Sequence, residues 1–104
     1  MKNILISWAL PTTRQQGGPL PVEEIRGVVI ELSADGGANF SAVGAEFPAS
    51  VTEVPVNDLP FSDQYVVRGT VIDTLDQSGN PVLFPFAIAD TSPPGDMTIQ
   101  VTFP

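Results

Sequence analysis

The stretch Ile4-Leu5-Ile6-Ser7-Trp8-Ala9-Leu10-Pro11 decides the predicted fold, because every second residue in it is large and apolar. In a β-strand, alternate side chains point to the same face. A single hydrophobic core would therefore contain the side chains of Ile4, Ile6, Trp8 and Leu10. Trp8 is the only tryptophan of the chain, and tryptophan buries a large apolar area. We expect the rest of the chain to supply strands that cover this stripe.

Composition and turn signals predict an all-β chain of short strands. The 11 prolines and 9 glycines are spread along 104 residues, which suits many turns and one domain over residues 1–104. No segment keeps a helical period, and apolar runs recur every 8–12 residues or so. The runs after the first are 24–33, 39–43, 51–56, 65–75, 82–89 and 97–103. About seven strands are therefore predicted, in an antiparallel β-sandwich.

The last run alternates most cleanly. Its apolar face carries Met97, Ile99, Val101 and Phe103, and its polar face carries Thr98, Gln100 and Thr102. This pattern predicts a half-buried C-terminal strand.

The residue inventory excludes most enzyme chemistry. There is no histidine and no cysteine, which removes the commonest general base, the commonest metal ligand and every thiol nucleophile. The net charge of −8 argues against binding a phosphate backbone. The apolar run before Pro11 is too short for a membrane span and lacks the cleavage site of a signal peptide. We expect no enzyme, no cofactor, no nucleic acid and no membrane partner.

Two local features have alternative interpretations. Oxygen ligands for calcium are offered by Asp73, Asp76, Ser78 and Asn80, but the same residues suit a turn bonded to its own backbone, which we favour. The polar loop from Pro11 to Pro21 is either a surface connection or a contact loop. Phe61, near a turn, is expected in the core more than as an exposed contact.

Four stretches recur in a characteristic order and spacing. They are Ile6-Ser7-Trp8 with Pro11, residues 25–40 with Asp35-Gly36-Gly37, Leu59-Pro60 with Tyr65-Val66-Val67-Arg68, and Val71-Ile72-Asp73 with Ser78-Gly79-Asn80. Together they resemble a fibronectin type III domain, one of the immunoglobulin-like sandwiches. In that family they would match, in order, the Trp-bearing second strand, the third strand with its following turn, the corner before the sixth strand, and the loop after that strand.

The ends depart from the family pattern. No room precedes the Trp strand for the family's first strand, and residues 97–103 form one strand too many. We therefore expect the C-terminal strand to fill the missing first-strand slot, either in its own domain or in a neighbouring copy.

The resemblance implies a protein that works by assembly. Because the chain starts at Met1 without an export signal, we expect a stand-alone protein of the kind that tailed bacteriophages carry on the virion. It would be a capsid decoration or a tail or baseplate part that binds other virion proteins or copies of itself. The alternative is an adhesive or carbohydrate-binding module of a bacterial surface protein. The expected contacts are Thr12, Arg14, Gln15, Gln16, Ile99, Val101 and Phe103.

Overall fold

A computed structural model describes residues 1–103, and Pro104 lies outside the described residues. The described part contains six β-strands and one short 3-10 helix, Val22–Glu24. The strands are β1 (Lys2–Ser7), β2 (Ile25–Ser33), β3 (Ser41–Ala42), β4 (Glu53–Leu59), β5 (Ser62–Asp73) and β6 (Val82–Ile88). No helix in residues 1–103 is long and apolar enough to cross a membrane.

The strands form two antiparallel sheets that pack together. One sheet pairs β1 with β4, and the other has the order β3-β2-β5-β6. Every pairing is antiparallel. The chain is therefore all-β with the layered arrangement of a β-sandwich, as the alternating pattern predicted.

Buried residues are concentrated in β2 and β5. The buried apolar side chains of the described residues are Leu20, Ile25, Val28, Ile30 and Tyr65. Tyr65 is only 2% exposed, and its ring stacks on Phe86 at a centroid distance of 5.1 Å. Its hydroxyl donates a hydrogen bond of 2.7 Å to the carbonyl oxygen of Pro60. Leu20 is the only one of the five outside these two strands, and it belongs to the Pro11–Pro21 loop.

The Asp-Gly signal predicts a tight hairpin turn after β2; Gly36 and Gly37 have the expected positive φ angles of 77° and 95°, but the connection to β3 is longer and runs over residues 34–40. Such left-handed angles favour glycine. The buried Ser33 hydroxyl donates to the Asp35 carboxylate at 2.6 Å, and that carboxylate accepts from the backbone N–H of Asn39 at 2.9 Å. The bonds from Ser33 and Asn39 lower the pKa of Asp35 to about 2.

Two predictions about the C-terminal run are wrong for the single chain. Six strands are present in residues 1–103 instead of about seven, and 97–103 has no regular structure. It does not pair with β1 of its own chain, so filling the first-strand slot within the same domain is contradicted. The reason is physical: an alternating segment becomes a strand only where a partner edge and an apolar surface meet it. Strand donation to a neighbouring copy stays a prediction.

The molecule is much longer than a compact chain of its size. Its radius of gyration is 20.4 Å, against about 13 Å for a compact domain of this length. The principal extents are 81 × 24 × 20 Å. Residues 89–103, called here the C-terminal arm, are exposed throughout, and fifteen residues can extend by about 50 Å. The arm therefore accounts for the elongation.

Candidate functional site

A large apolar cleft opens between the two sheets. It has a volume of about 720 Å³, within the range of binding pockets in general. Its lining comes from β1, from the inner faces of β2 and β5, and from β6. The lining residues are Ile4, Leu5, Ile6, Ser7, Trp8, Ala9, Val28, Ile30, Val67, Gly69, Thr70, Val71, Val82, Phe84 and Phe86. We call this space the open cleft.

The open cleft runs along the edge of β1 as well as beneath it. Six consecutive residues, 4–9, line it, whereas an inward-facing strand would contribute only alternate residues. On the opposite wall β6 does contribute alternate residues: Val82, Phe84 and Phe86. The cleft is therefore a gap at one side of the sandwich, between the edge of β1 and the inner face of β6.

The walls of this gap leave large apolar side chains in water. The exposed fractions are 59% for Leu5, 70% for Val82 and 66% for Phe84. Within residues 1–103, β1 pairs only with β4, and β6 pairs only with β5. Each wall thus presents an unpaired strand edge beside an apolar surface, which is the arrangement that accepts an added strand.

Trp8 lies at the end of β1 and lines the open cleft. Its backbone N–H donates to the carbonyl oxygen of Thr52 at 2.9 Å, and its ring contacts Phe47 at a centroid distance of 5.5 Å. Its indole Nε1 is buried, and no acceptor for it exists among the described residues. A buried donor without an acceptor costs free energy.

The C-terminal arm presents the matching apolar pattern. The exposed fractions are 80% for Met97, 74% for Ile99, 73% for Val101 and 88% for Phe103. The contacts predicted from the sequence include three of these four residues: Ile99, Val101 and Phe103. The structure places them on the exposed C-terminal arm, which pairs with no strand of residues 1–103.

The Pro11–Pro21 loop, in contrast, is fixed to the body. The guanidinium of Arg14 donates to the Asp73 carboxylate at 2.8 Å and lies 3.6 Å from Glu24. The Asp73 side chain is only 8% exposed. Its carboxylate also accepts from the backbone N–H groups of Leu75 and Gln77. The hydrogen bond from Arg14 has the largest effect, and together with these N–H groups it holds the pKa of Asp73 below its usual range.

The other loop contacts predicted from sequence have different surroundings. Thr12 is exposed, and its carbonyl oxygen accepts from the N–H of Leu20 at 2.9 Å. Gln15 and Gln16 are exposed at the loop tip. They border a second, more polar cavity of about 900 Å³ between the loop and residues 77–80. Arg14 is half-buried and bonded within the chain. Of the contact residues predicted in this loop, Gln15 and Gln16 are therefore more accessible than Arg14.

The calcium candidates are not brought together as free ligands. Asp73 is bonded to Arg14, and Asp76 is bonded to Arg26. The residues described contain no group of three or more acidic, histidine or cysteine side chains that could hold a metal ion. The Asp73 carboxylate instead closes the turn onto its own backbone, which is the interpretation that the sequence favoured.

Sequence reasoning missed the walls of the open cleft. Alternation along the predicted strand 82–89 places Phe84 on one face with Phe86 and Ile88, and that side chain is 66% exposed. Phe61, which was expected in the core, is 62% exposed. The one sequence signal for the gap was the expectation that a further strand pairs beside the Trp-bearing strand, because a sheet edge without a neighbouring strand leaves its inner face uncovered.

No protein-family model, curated protein or solved structure matches this chain. The open cleft and the C-terminal arm are therefore the features from which a function can be inferred.

Proposed function

We propose that this chain is a non-enzymatic structural protein that works by binding other protein chains in a larger assembly, as a virion component of a tailed bacteriophage. The observation that carries this proposal is the pair of complementary apolar surfaces, the open cleft and the C-terminal arm. Both are exposed in the single chain, and apolar surface on this scale marks interaction sites.

The exposed area supports binding of a macromolecule. The accessible surface is 7581 Å², whereas a compact protein of 11.0 kDa exposes about 5,600 Å². The excess of about 2,000 Å² is comparable to the total area of a standard protein–protein interface. Lattice contacts would cover this surface and stabilise the small chain by mass action.

Two features support the resemblance to fibronectin type III domains on which the virion proposal rests. The bond from the Tyr65 hydroxyl to the Pro60 carbonyl has the form of the tyrosine corner of immunoglobulin-like domains. The β1-β4 pair and the order β3-β2-β5-β6 correspond to part of each sheet of such domains, and no further strand pairs with β1 within residues 1–103. Fold likeness alone does not give function, so the virion assignment needs its own test.

The alternative, a carbohydrate-binding module, needs several aromatic rings on one exposed face. The exposed phenylalanines Phe61, Phe84 and Phe103 lie on three separate elements: the β4–β5 corner, β6 and the C-terminal arm. This dispersal favours protein contacts over a sugar-stacking platform.

Immunogold electron microscopy tests the proposed function. Antibodies raised against the purified chain are applied to purified phage particles and to intact cells of the source. The proposal expects gold at fixed positions on the particles, abolished by pre-absorbing the serum with the chain. Gold on the cell surface alone would support the surface module and overturn the virion proposal. Absence of gold from both the particles and the cells would overturn the virion proposal and the surface-module alternative alike.

A further inference from the structure

We propose that the partner of the open cleft is a second copy of this chain, which inserts residues 97–103 of its C-terminal arm as an antiparallel strand on the free edge of β1. This inference rests on the proposed assembly function and identifies the partner. Each chain would donate its own arm to one neighbour and accept the arm of another.

The strand registers define which ends of the body are close together. Lys2 pairs with Leu59, and Ser62 pairs with Ile88. Since Leu59 and Ser62 are separated by only two residues, the start of β1 and the end of β6 lie at the same end of the body. We call this the lower end, and the C-terminal arm leaves the body from it.

The opposite, upper end carries the end of β1 and the start of β6. Ala9 and Val82 both line the open cleft and the cavity beside the loop, so both lie at this end of the body. β1 therefore runs from the lower to the upper end, and β6 runs back down. A strand that enters the cleft from the upper end runs antiparallel to β1.

This direction favours the arm of a second copy over the chain's own arm. Its own arm starts at the lower end, so turning straight back would place it parallel to β1. An antiparallel insertion would require eight residues, 89–96, to climb the length of the body and then reverse. At about 3.3 Å per residue, almost all of them would be used in the climb. Pro93-Pro94 also stiffens this segment in an extended form.

The arm of a second copy meets neither obstacle. It leaves its own body at the lower end in an extended form and enters the neighbour at the upper end without a reversal. All strand pairs of the present sheets are antiparallel, so the added strand would continue that pattern.

Length and side-chain pattern also match. The seven residues 97–103 span about 23 Å, and the six residues of β1 span about 20 Å. Met97, Ile99, Val101 and Phe103 share one strand face, and that face would cover the exposed Val82 and Phe84 of the neighbour. Thr98, Gln100 and Thr102 would face water, as expected for an edge strand of a sandwich.

Donation in this direction gives a head-to-tail contact, which generates a closed ring or an open filament according to the rotation between copies. The lower end of the donor would then approach the Pro11–Pro21 loop of the acceptor, where Gln15 and Gln16 are exposed. Both groups of contacts predicted from sequence would therefore meet in one interface.

The test uses the full chain with paired substitutions, in sedimentation velocity experiments over a concentration series at 0.15 M salt. The arm variant carries Ile99→Asp and Val101→Asp. Its matched control carries Gln100→Asp and Thr102→Asp, which add the same charge to the opposite face. The arm variant should raise the concentration needed for association by about 100-fold, because carboxylates would enter an apolar cleft. The control should shift it by less than about threefold.

Mixing variants tests donation directly. Phe84→Asp blocks the cleft and leaves the arm intact, whereas the arm variant keeps its cleft. Each alone should remain monomeric, and the mixture should form a 1:1 heterodimer that grows no further. A mixture that stays monomeric, or an arm variant that associates like its control, would overturn the proposal.

Disulfide trapping covers the case in which Phe84→Asp fails to fold. The chain has no cysteine, so Leu5→Cys combined with Thr98→Cys, Gln100→Cys or Thr102→Cys has no background. A ladder of covalent oligomers after oxidation is the expected result. A disulfide formed only within single chains would show that the arm folds back, and no disulfide in any of the three pairs would show that it never reaches β1. Either result would overturn donation, while gold on the phage particle would still support the proposed function.

Discussion

The two sides of this sandwich differ in how completely the chain covers them. On the side built from β2, β5 and the Pro11–Pro21 loop, Tyr65 and Asp73 are buried and bonded. On the side of β1 and β6, no residue of either strand is buried, and the Phe84 side chain is mostly exposed to solvent. The covered side contains the buried residues of the single chain, and the uncovered side is the surface on which we propose that another chain binds.

Truncation of one aromatic ring on each side gives the largest expected contrast. Tyr65→Ala should lower the free energy of unfolding by about 4 kcal/mol, since a buried ring leaves a cavity. Phe84→Ala should cost less than about 1 kcal/mol, because its ring is mostly exposed in the monomer. Urea unfolding in the background of the arm variant, which keeps the protein monomeric, measures both. Equal costs would mean that the cleft is covered within the single chain.

Glycine substitutions compare the packing around β2 with that around the exposed C-terminal arm. A Cβ on Gly27 of β2 would lie 2.8 Å from the carbonyl oxygen of Phe47, whereas a Cβ on Gly95 of the arm would meet nothing within 4 Å. Gly27→Ala should therefore cost about 2 kcal/mol. Gly95→Ala should change stability by less than about 0.5 kcal/mol. Thermal unfolding of the two variants checks this, and a neutral Gly27→Ala would contradict the close approach of Glu46 and Phe47 to β2.

The attachment of the loop can be broken through its carboxylate. Asp73→Asn removes the charge that holds Arg14, so trypsin should cleave after Arg14 about tenfold faster or more, because the loop opens more often. The matched control is Asp76→Asn, whose side chain is 81% exposed and pairs with Arg26. An exposed ion pair contributes little, so cleavage after Arg14 should not change. Mass spectrometry of the fragments identifies the site, and equal rates would show that the ion pair does not hold the loop.

Acid should produce the smallest effect, at the turn after β2. The pKa of Asp35 is about 2 in the folded chain, below its ordinary value of about 3.8. The stabilisation is therefore complete above about pH 4 and is lost as the pH falls toward 2. Asp35→Asn should be less stable than the wild type at pH 5 and closer to it at pH 2. Urea unfolding at both pH values measures the two differences, and a constant difference would contradict the assignment.

The alternating pattern of the sequence was sufficient for local structure. It predicted strands over most of β1, β2, β4, β5 and β6, because side-chain periodicity reports which residues share a face. It also predicted the Asp35-Gly36-Gly37 turn, since only a few residues tolerate left-handed backbone angles. The loop contacts were predicted by composition alone, which cannot show that Arg14 is bonded to Asp73 across 59 positions.

Only the tertiary structure decided which alternating segments are covered. Residues 97–103 alternate more cleanly in sequence than Val82–Ile88, yet β6 pairs with β5 and the C-terminal arm pairs with nothing in the described chain. Periodicity states that a segment has an apolar face, but burial depends on whether an edge of the right direction lies within reach.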